Sequence, residues 1–482
     1  MGKTENTAAA GELATHVEVR GIEFIAAENR HGKPRELFAV WAAPNISVLS
    51  FTIGATLTMV LGLEIWQSIA VILASSLLWI LPGIVAISGP SAGTSGSVIT
   101  RAVYGIRGNR FIIAIYGWFV SGIFLALNWV ASTFMGAELL RRLGLGNETV
   151  GKAVVTVAIS TITVLVAVYG HGLILKSYTA VTAALLVIFV LVTAYILPQV
   201  NLGFVQPEPL AGAEVWISVS IGFAILSSTP LSYSNSADLA RYLPHETKPW
   251  RIVAATALGG AVPGIIFTTV GVLLGTVLSG AALDVGIDFA LMDMLPNWLG
   301  ILLVAGVVLN TVALNGMTTY SASMVFQSIG VPIKRIPSAI LIGVLGTIFT
   351  FALAMSTSLI SAVNLMLQFL LIISVPTMAI FVADIVLRRN RYDSLQLFEQ
   401  FPSGKYWYTN GFSVAGLGAV VAGGAATALF LSTDVWAGPF AVMMGGIDVS
   451  VPVGLAVSIL AYAVLVRLRG VQLELVPVRA KS

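Results

Sequence analysis

Within the apolar stretches of this chain sit a few side chains that can hold a ligand but cannot make or break a bond. Phe124 and Asn128 are four residues apart, Asn310-Thr311 shortly precedes Asn315, and Asn364 and Gln368 are again four apart. Residues at a spacing of four share a helix face. Pro44-Asn45 interrupts one apolar stretch. Ser227-Ser228-Thr229-Pro230-Leu231-Ser232-Tyr233-Ser234-Asn235 interrupts another, with five serine and threonine hydroxyls around its proline. Amides donate and accept together, and ring faces stack on flat partners. The sets needed for covalent chemistry are missing. There is no cysteine, which excludes disulfides and thiolate chemistry. No His-Glu-x-x-His occurs, and His16, His31, His171 and His245 are all expected in tails or loops. An intramembrane enzyme is therefore disfavoured.

The elements that must position these residues are membrane-spanning helices. Hydrophobic residues make up 57% of the 482 and charged ones 10%, against about 25% charged in a soluble domain. Twelve apolar segments follow, roughly 37–63, 65–88, 111–137, 151–170, 176–198, 214–236, 252–280, 298–325, 336–356, 358–387, 410–432 and 449–467. Each has the length of about 20 helical residues that a hydrocarbon core requires. With the N-terminus placed in the cytoplasm, all 25 lysines and arginines but Arg141, Arg142 and Lys152 fall on that side. This asymmetry is the positive-inside signature. It predicts a multi-pass protein of the cytoplasmic membrane with both termini inside. The first 36 residues are polar and show no cleavable signal peptide. The basic residues from Arg467 to Lys481 are expected against anionic headgroups. A formal charge of +3 says nothing of nucleic acid, and no obligate protein partner is indicated.

The interruptions repeat. Pro44 and Pro230 are 186 residues apart, and Asn128 in segment 3 precedes Asn315 in segment 8 by 187. A proline frees a helical carbonyl, which a bilayer tolerates only where protein or a cavity receives it. Five crossings per repeat force opposite orientations, so the spacing predicts an inverted repeat over 37–198 and 214–387. Broken helices at matching places in two halves point to a transporter's central site. A channel would more naturally use rings from an oligomer.

Several strings resemble the nucleobase–cation symporter 1 family, the purine–cytosine permeases with their hydantoin and allantoin relatives. These are Gly21-Ile22-Glu23-Phe24-Ile25 with Arg30-His31-Gly32-Lys33-Pro34, then Trp41-Ala42-Ala43-Pro44-Asn45. Next come Gly89-Pro90-Ser91-Ala92-Gly93 and Arg101-Ala102-Val103-Tyr104-Gly105, leading to Gly108-Asn109. Ala237-Asp238-Leu239-Ala240-Arg241-Tyr242-Leu243-Pro244 is similar to the family's most recognisable string; Pro376, Ala383-Asp384, Arg388-Arg389 and Tyr392-Asp393 follow. The resemblance implies a leucine-transporter-type fold: a ten-helix core over 37–387, a cytoplasmic loop at 388–409 and two peripheral helices over 410–467. Tails would occupy 1–36 and 468–482. It further implies secondary active import of a nucleobase by cation symport, with no cofactor. Allantoin, a hydantoin or a pyrimidine vitamin precursor is the alternative substrate.

The same resemblance assigns roles. Phe124 would stack on the ring and Asn128 contact its edge, where core packing and a helix–helix hydrogen bond are the respective alternatives. The family's usual tryptophan is absent at Phe124, and Trp129 points elsewhere on the helix. Ser228, Thr229 and Tyr233 in segment 6, Asn315 in segment 8 and Gln368 in segment 10 complete the substrate set. Carbonyls around Ala42, Asn45 and Ile46, with Asn310 and Thr311, are expected to form a Na⁺ site between segments 1 and 8. No carboxylate is clearly at mid-depth, which favours Na⁺ over H⁺ as the coupling ion. Asp238 and Arg241 are expected to form a local i,i+3 ion pair.

Overall fold

The computed structural model describes residue 18 and residues 21–145, 147–356, 369–433 and 435–468. The described residues are helical, with isolated bridges only at Thr409–Phe412 and Ser432–Ala437. The first apolar segment is two helices, α1 (Pro34–Asn45) and α2 (Val48–Met59), bent by 58°. The spans α3 (Ile65–Ala92), α4 (Ile106–Arg142), α5 (Glu148–Tyr169), α6 (His171–Gln199) and α7 (Ala213–Leu231) follow. A short α8 (Ala237–Ala240) leads to α9 (Pro249–Gly275), α10 (Asn297–Ile329) and α11 (Arg335–Ala354). Two shorter apolar helices, α12 (Leu371–Leu387) and α13 (Val414–Phe430), precede the last span, α14 (Ser450–Leu468). Among the described residues nine helices, ten with the bent first pair as one span, are long and apolar enough to cross a membrane, and α12 and α13 are shorter. Gln368 and Asn364, expected at the start of segment 10, lie outside the described residues.

The first break follows from four consecutive residues. Pro44 has no N–H to give the Val40 carbonyl, and the Asn45 side chain donates to Trp41 O at 2.8 Å. Ser47 then restarts the helix, its Oγ accepting from Ser50 N at 3.3 Å, the usual role of an N-cap serine. The second break comes after Leu231, one residue beyond Pro230.

Both halves of the broken helix lie against α9 with backbone touching backbone. A Cβ at Gly271 would come within 2.3 Å of Phe51 O, one at Gly54 within 2.0 Å of Thr268 O, and one at Gly259 within 2.7 Å of Phe38 O. Only glycine allows such an approach, a familiar way to pack helices in lipid. The most enclosed span is α10, which runs through the centre of the bundle.

At the basic end of the bundle Glu18 packs among the helix ends. The Glu18 carboxylate accepts from Arg241 Nη2 at 2.9 Å, from Tyr242 Oη at 2.6 Å and from Tyr320 Oη at 3.2 Å. It also accepts from the backbone N–H of His171 at 2.8 Å and lies 3.9 Å from Arg335 Nη2. Both arginine side chains are fully buried. Burial alone would raise the Glu18 carboxyl, but the two guanidinium groups outweigh it and hold it below the usual carboxylate range. The expected Asp238–Arg241 pair does not form. Arg241 turns to Glu18, while Asp238 Oδ1 accepts from the Gly96 N–H at 2.8 Å. His171, expected in a loop, is instead the buried first residue of α6, its Nε2 within 3.0 Å of Leu239 O.

α13 and α14 pack on each other and on α12. Near the basic end of α12, Asp384 takes hydrogen bonds from Arg388 Nε (2.7 Å), Tyr392 Oη (2.9 Å) and Tyr462 Oη (2.6 Å).

Candidate functional site

Both helix breaks face one cavity of about 190 Å³, walled by α2, α3, α4, α7, α9 and α10. Two features set its chemistry. None of the described residues that line it is charged, and hydroxyls and amides supply its polar groups. Its four rings come from three places: Phe124 and Tyr116 on α4, Trp79 on α3 and Tyr233 just after α7.

Tyr233 is held rigidly. It stacks on Trp79, with ring centroids 5.5 Å apart and planes at 28°, and meets the edge of buried Trp41 at 4.9 Å. Offset and edge-on contacts of this kind are favourable beyond their buried area. Tyr116 Oη donates to the Ser232 and Leu231 carbonyls at 2.6 and 3.2 Å. A ring on α4 thus caps the open end of α7. Tyr116 belongs to a π-helical stretch, Ala114–Val120, a distortion often found at functional sites.

On α4, Phe124 and Asn128 both line the cavity. Asn128 Nδ2 donates to Asn315 Oδ1 at 3.3 Å, and Asn315 Nδ2 donates to Leu125 O at 3.1 Å. Asn315 is fully buried and outside the cavity wall, so it orients Asn128 from behind. Asn128 keeps an amide hydrogen and its carbonyl oxygen for a ligand. Trp129 faces away into a packed cluster with Leu125, Ile159 and Ile342, its Nε1 donating to Thr163 Oγ1 at 3.3 Å.

Ser228 and Thr229 also line the cavity. The carbonyls near Pro230 are largely taken up locally: Ser232 N donates to Ser228 O at 3.1 Å, Ser232 Oγ to Thr229 O at 2.8 Å, and Tyr233 N to Pro230 O at 3.3 Å. The Ser228 hydroxyl donates to Ile225 O at 2.6 Å, which leaves its oxygen as an acceptor.

For the expected cation ligands the structure gives a different arrangement. Asn310 Nδ2 donates to three carbonyls at the α1–α2 break: Ala43 O at 2.8 Å, Pro44 O at 3.0 Å and Ile46 O at 2.9 Å. Ala42 O instead accepts from Ile46 N at 3.1 Å. Asn45 lines the cavity. The Thr311 hydroxyl hydrogen-bonds Ser132 on α4. Asn310 thus faces the break while Thr311 faces Ser132 on α4. The side-chain atom at the centre of the three carbonyls is an amide nitrogen, a hydrogen-bond donor.

The spacing of Phe124 and Asn128 placed two wall residues in advance. Trp79 and Tyr116 were missed. The available signal was the hydroxyl pair Ser75-Ser76 preceding Trp79 in an otherwise aliphatic segment, since all three line the cavity.

A family model for permeases of cytosine/purines, uracil, thiamine and allantoin matches residues 24–454. The chain belongs to this family of permeases. The permease is 27% identical over 476 residues to YxlA of Bacillus subtilis (strain 168), a predicted purine–cytosine permease, with 94% of this chain and 96% of that one covered. It is 26% identical over 284 residues to the purine–cytosine permease fcyB of Emericella nidulans, covering 56% and 52% of the two chains. Its fold is similar to that of Mhp1, a nucleobase-cation-symport-1 family transporter solved in a closed conformation with bromovinylhydantoin bound. The TM-score is 0.71 at 18% identity, over 94% of this chain and 96% of that one. The leucine-transporter-type fold expected from the sequence is the one observed, and the permease is a multi-pass membrane transporter rather than an enzyme.

Proposed function

We propose that the permease imports a neutral, flat nucleobase, cytosine or a purine, across the cytoplasmic membrane by alternating access and cation symport, with both termini inside. The observation that carries this reading is the uncharged cavity in which ring faces and amides converge. A flat ring enters between Phe124 and the Trp79–Tyr233 pair, and its edge of donors and acceptors meets Asn128 and the hydroxyls of Ser228 and Thr229. A charged ring would be buried there without a counter-ion, which is strongly unfavourable. Allantoin, a hydantoin or a pyrimidine vitamin precursor forms the second reading, favoured by the breadth of the family description and by the hydantoin bound to Mhp1.

Thermal unfolding of the purified permease with cytosine, hypoxanthine, adenine, allantoin or hydantoin tests both. A compound that binds only the folded state stabilises it by about 2.7 kcal/mol at a hundredfold excess over Kd. Stabilisation by cytosine or a purine is expected. A response to allantoin or hydantoin alone transfers the assignment to the second reading. Silence to all five, with a response to an unrelated amino acid, ends both.

Phe124 and Trp129 provide a sharper test of the wall. Phe124→Ala should raise the Kd of every flat ring tested together, because stacking is blind to edge chemistry. Trp129→Phe removes the buried hydrogen bond to Thr163 and part of a packed ring, which costs stability, and should leave Kd unchanged. A larger loss of affinity in Trp129→Phe would place the ligand on the opposite side of α4.

A further inference from the structure

We infer that Asn310 is a built-in substitute for a cation at the α1–α2 break, so that uptake by this permease is independent of Na⁺. The inference rests on the transport reading above and deepens it.

A helix end leaves its last carbonyls without intrahelical partners. At this break the loss is compounded: Ser50 N, which would serve Ile46 O in a continuous helix, is taken by Ser47. Carbonyls left bare inside a bilayer protein are costly, and a monovalent cation is one way to satisfy them together. Asn310 does so with an amide. Its side chain is almost fully buried, and its nitrogen lies 2.8–3.0 Å from the oxygens of Ala43, Pro44 and Ile46. An amide NH₂ has two hydrogens for these three acceptors, so one hydrogen is shared. A cation reaching these oxygens would have to displace that nitrogen from all three. The neighbouring hydroxyl, Thr311, hydrogen-bonds Ser132 on α4 and makes no hydrogen bond to these carbonyls.

Asn310 is therefore a positioning residue. It pins the bend between α1 and α2 to the central helix α10, and through that bend sets the cavity wall at Asn45 and Ser47. The opposite amide orientation would set Oδ1 against three carbonyl oxygens, a cluster that only a cation could hold. The two arrangements therefore predict opposite responses to Na⁺.

The test is made on the full-length permease with NaCl replaced by choline chloride at equal ionic strength and constant pH. Three readouts are expected to be indifferent to the replacement: the melting temperature without ligand, the stabilisation by cytosine, and cytosine uptake into proteoliposomes, within twofold. Asn310→Asp keeps the side-chain shape but replaces the donor with an oxygen. It should lower uptake at least tenfold in choline and regain it, with a rise in melting temperature, in Na⁺. Wild-type protein that is stabilised by Na⁺ alone, or that takes up cytosine only in Na⁺, overturns the inference even if the variant fails to fold. So does an Asn310→Asp protein that works as wild type in choline. Cytosine binding that needs Na⁺ leaves the substrate reading standing while this one falls. Absence of cytosine binding in either salt, with no Na⁺ effect on the ligand-free protein, removes the substrate reading and leaves this one.

Discussion

Replacing Asn128 by alanine is expected to reduce substrate affinity and uptake by about tenfold to a hundredfold, the loss of about 1–3 kcal/mol that follows when one partner of a buried hydrogen bond is removed. Asn128 is the amide on the cavity wall whose orientation is fixed from behind, by the 3.3 Å bond to Asn315 and the 3.1 Å bond from Asn315 to the Leu125 carbonyl. A preoriented amide loses little freedom on binding, so its contact with a ring edge is retained almost in full. Asn315→Ala should produce a smaller loss in affinity, because it frees the Asn128 side chain without removing it. The two variants should also differ in stability, with Asn315→Ala the more damaging, since it empties a fully buried position between α4 and α10 and removes both of its hydrogen bonds. Uptake and ligand-dependent melting of both proteins check this. Wild-type affinity in Asn128→Ala would remove the amide from the substrate contact.

The largest expected effect on stability belongs to Glu18. Among the described residues it is the carboxylate shared by two fully buried arginines, and removing one partner of a buried ion pair typically costs about 3–5 kcal/mol. Glu18→Gln keeps the shape and some hydrogen bonding, so its effect should sit at the lower end of that range, with Glu18→Ala above it. A pH dependence follows. The folded Glu18 carboxyl lies below its ordinary value, so its stabilisation is complete above the unfolded value and is lost as pH falls through the folded one. Wild-type melting temperature should therefore drop on acidification below the ordinary glutamate range, and Glu18→Gln should show a flatter acid limb. Equal melting temperatures for wild type and Glu18→Gln near neutrality would show that the arginines are satisfied without the tail.

The bundle was legible in the sequence because its signals are long and redundant. Apolar lengths and the one-sided distribution of basic residues survive errors of several residues at any boundary. The two breaks were legible because proline beside polar residues has few other uses in lipid. Trp79 and Tyr116 were not legible. Both lie in apolar stretches where a ring on the lipid face reads the same as a ring on the inner face, and only packing separates them. Asn310 and Thr311 show a related limit. The sequence located the helix that meets the break, but which of two adjacent polar residues turns towards it depends on rotation of α10 within the bundle. Glu18 was invisible for another reason. It comes from a polar tail without periodicity, and its partners lie on α6, α10, α11 and the stretch after α8, far along the chain.

That last contact bears on how the protein is made. Arg335 Nε donates to the Glu18 carbonyl at 3.0 Å across 317 residues of sequence, and the same tail residue meets Arg241 and Tyr320. Glu18 leaves the ribosome long before Arg335 does, and loop closure over so many residues adds its own entropic delay. Until the start of α11 has been synthesised, Glu18 lacks one of its two cations. The contacts of Glu18 are therefore completed late, after about two thirds of the polypeptide has been made.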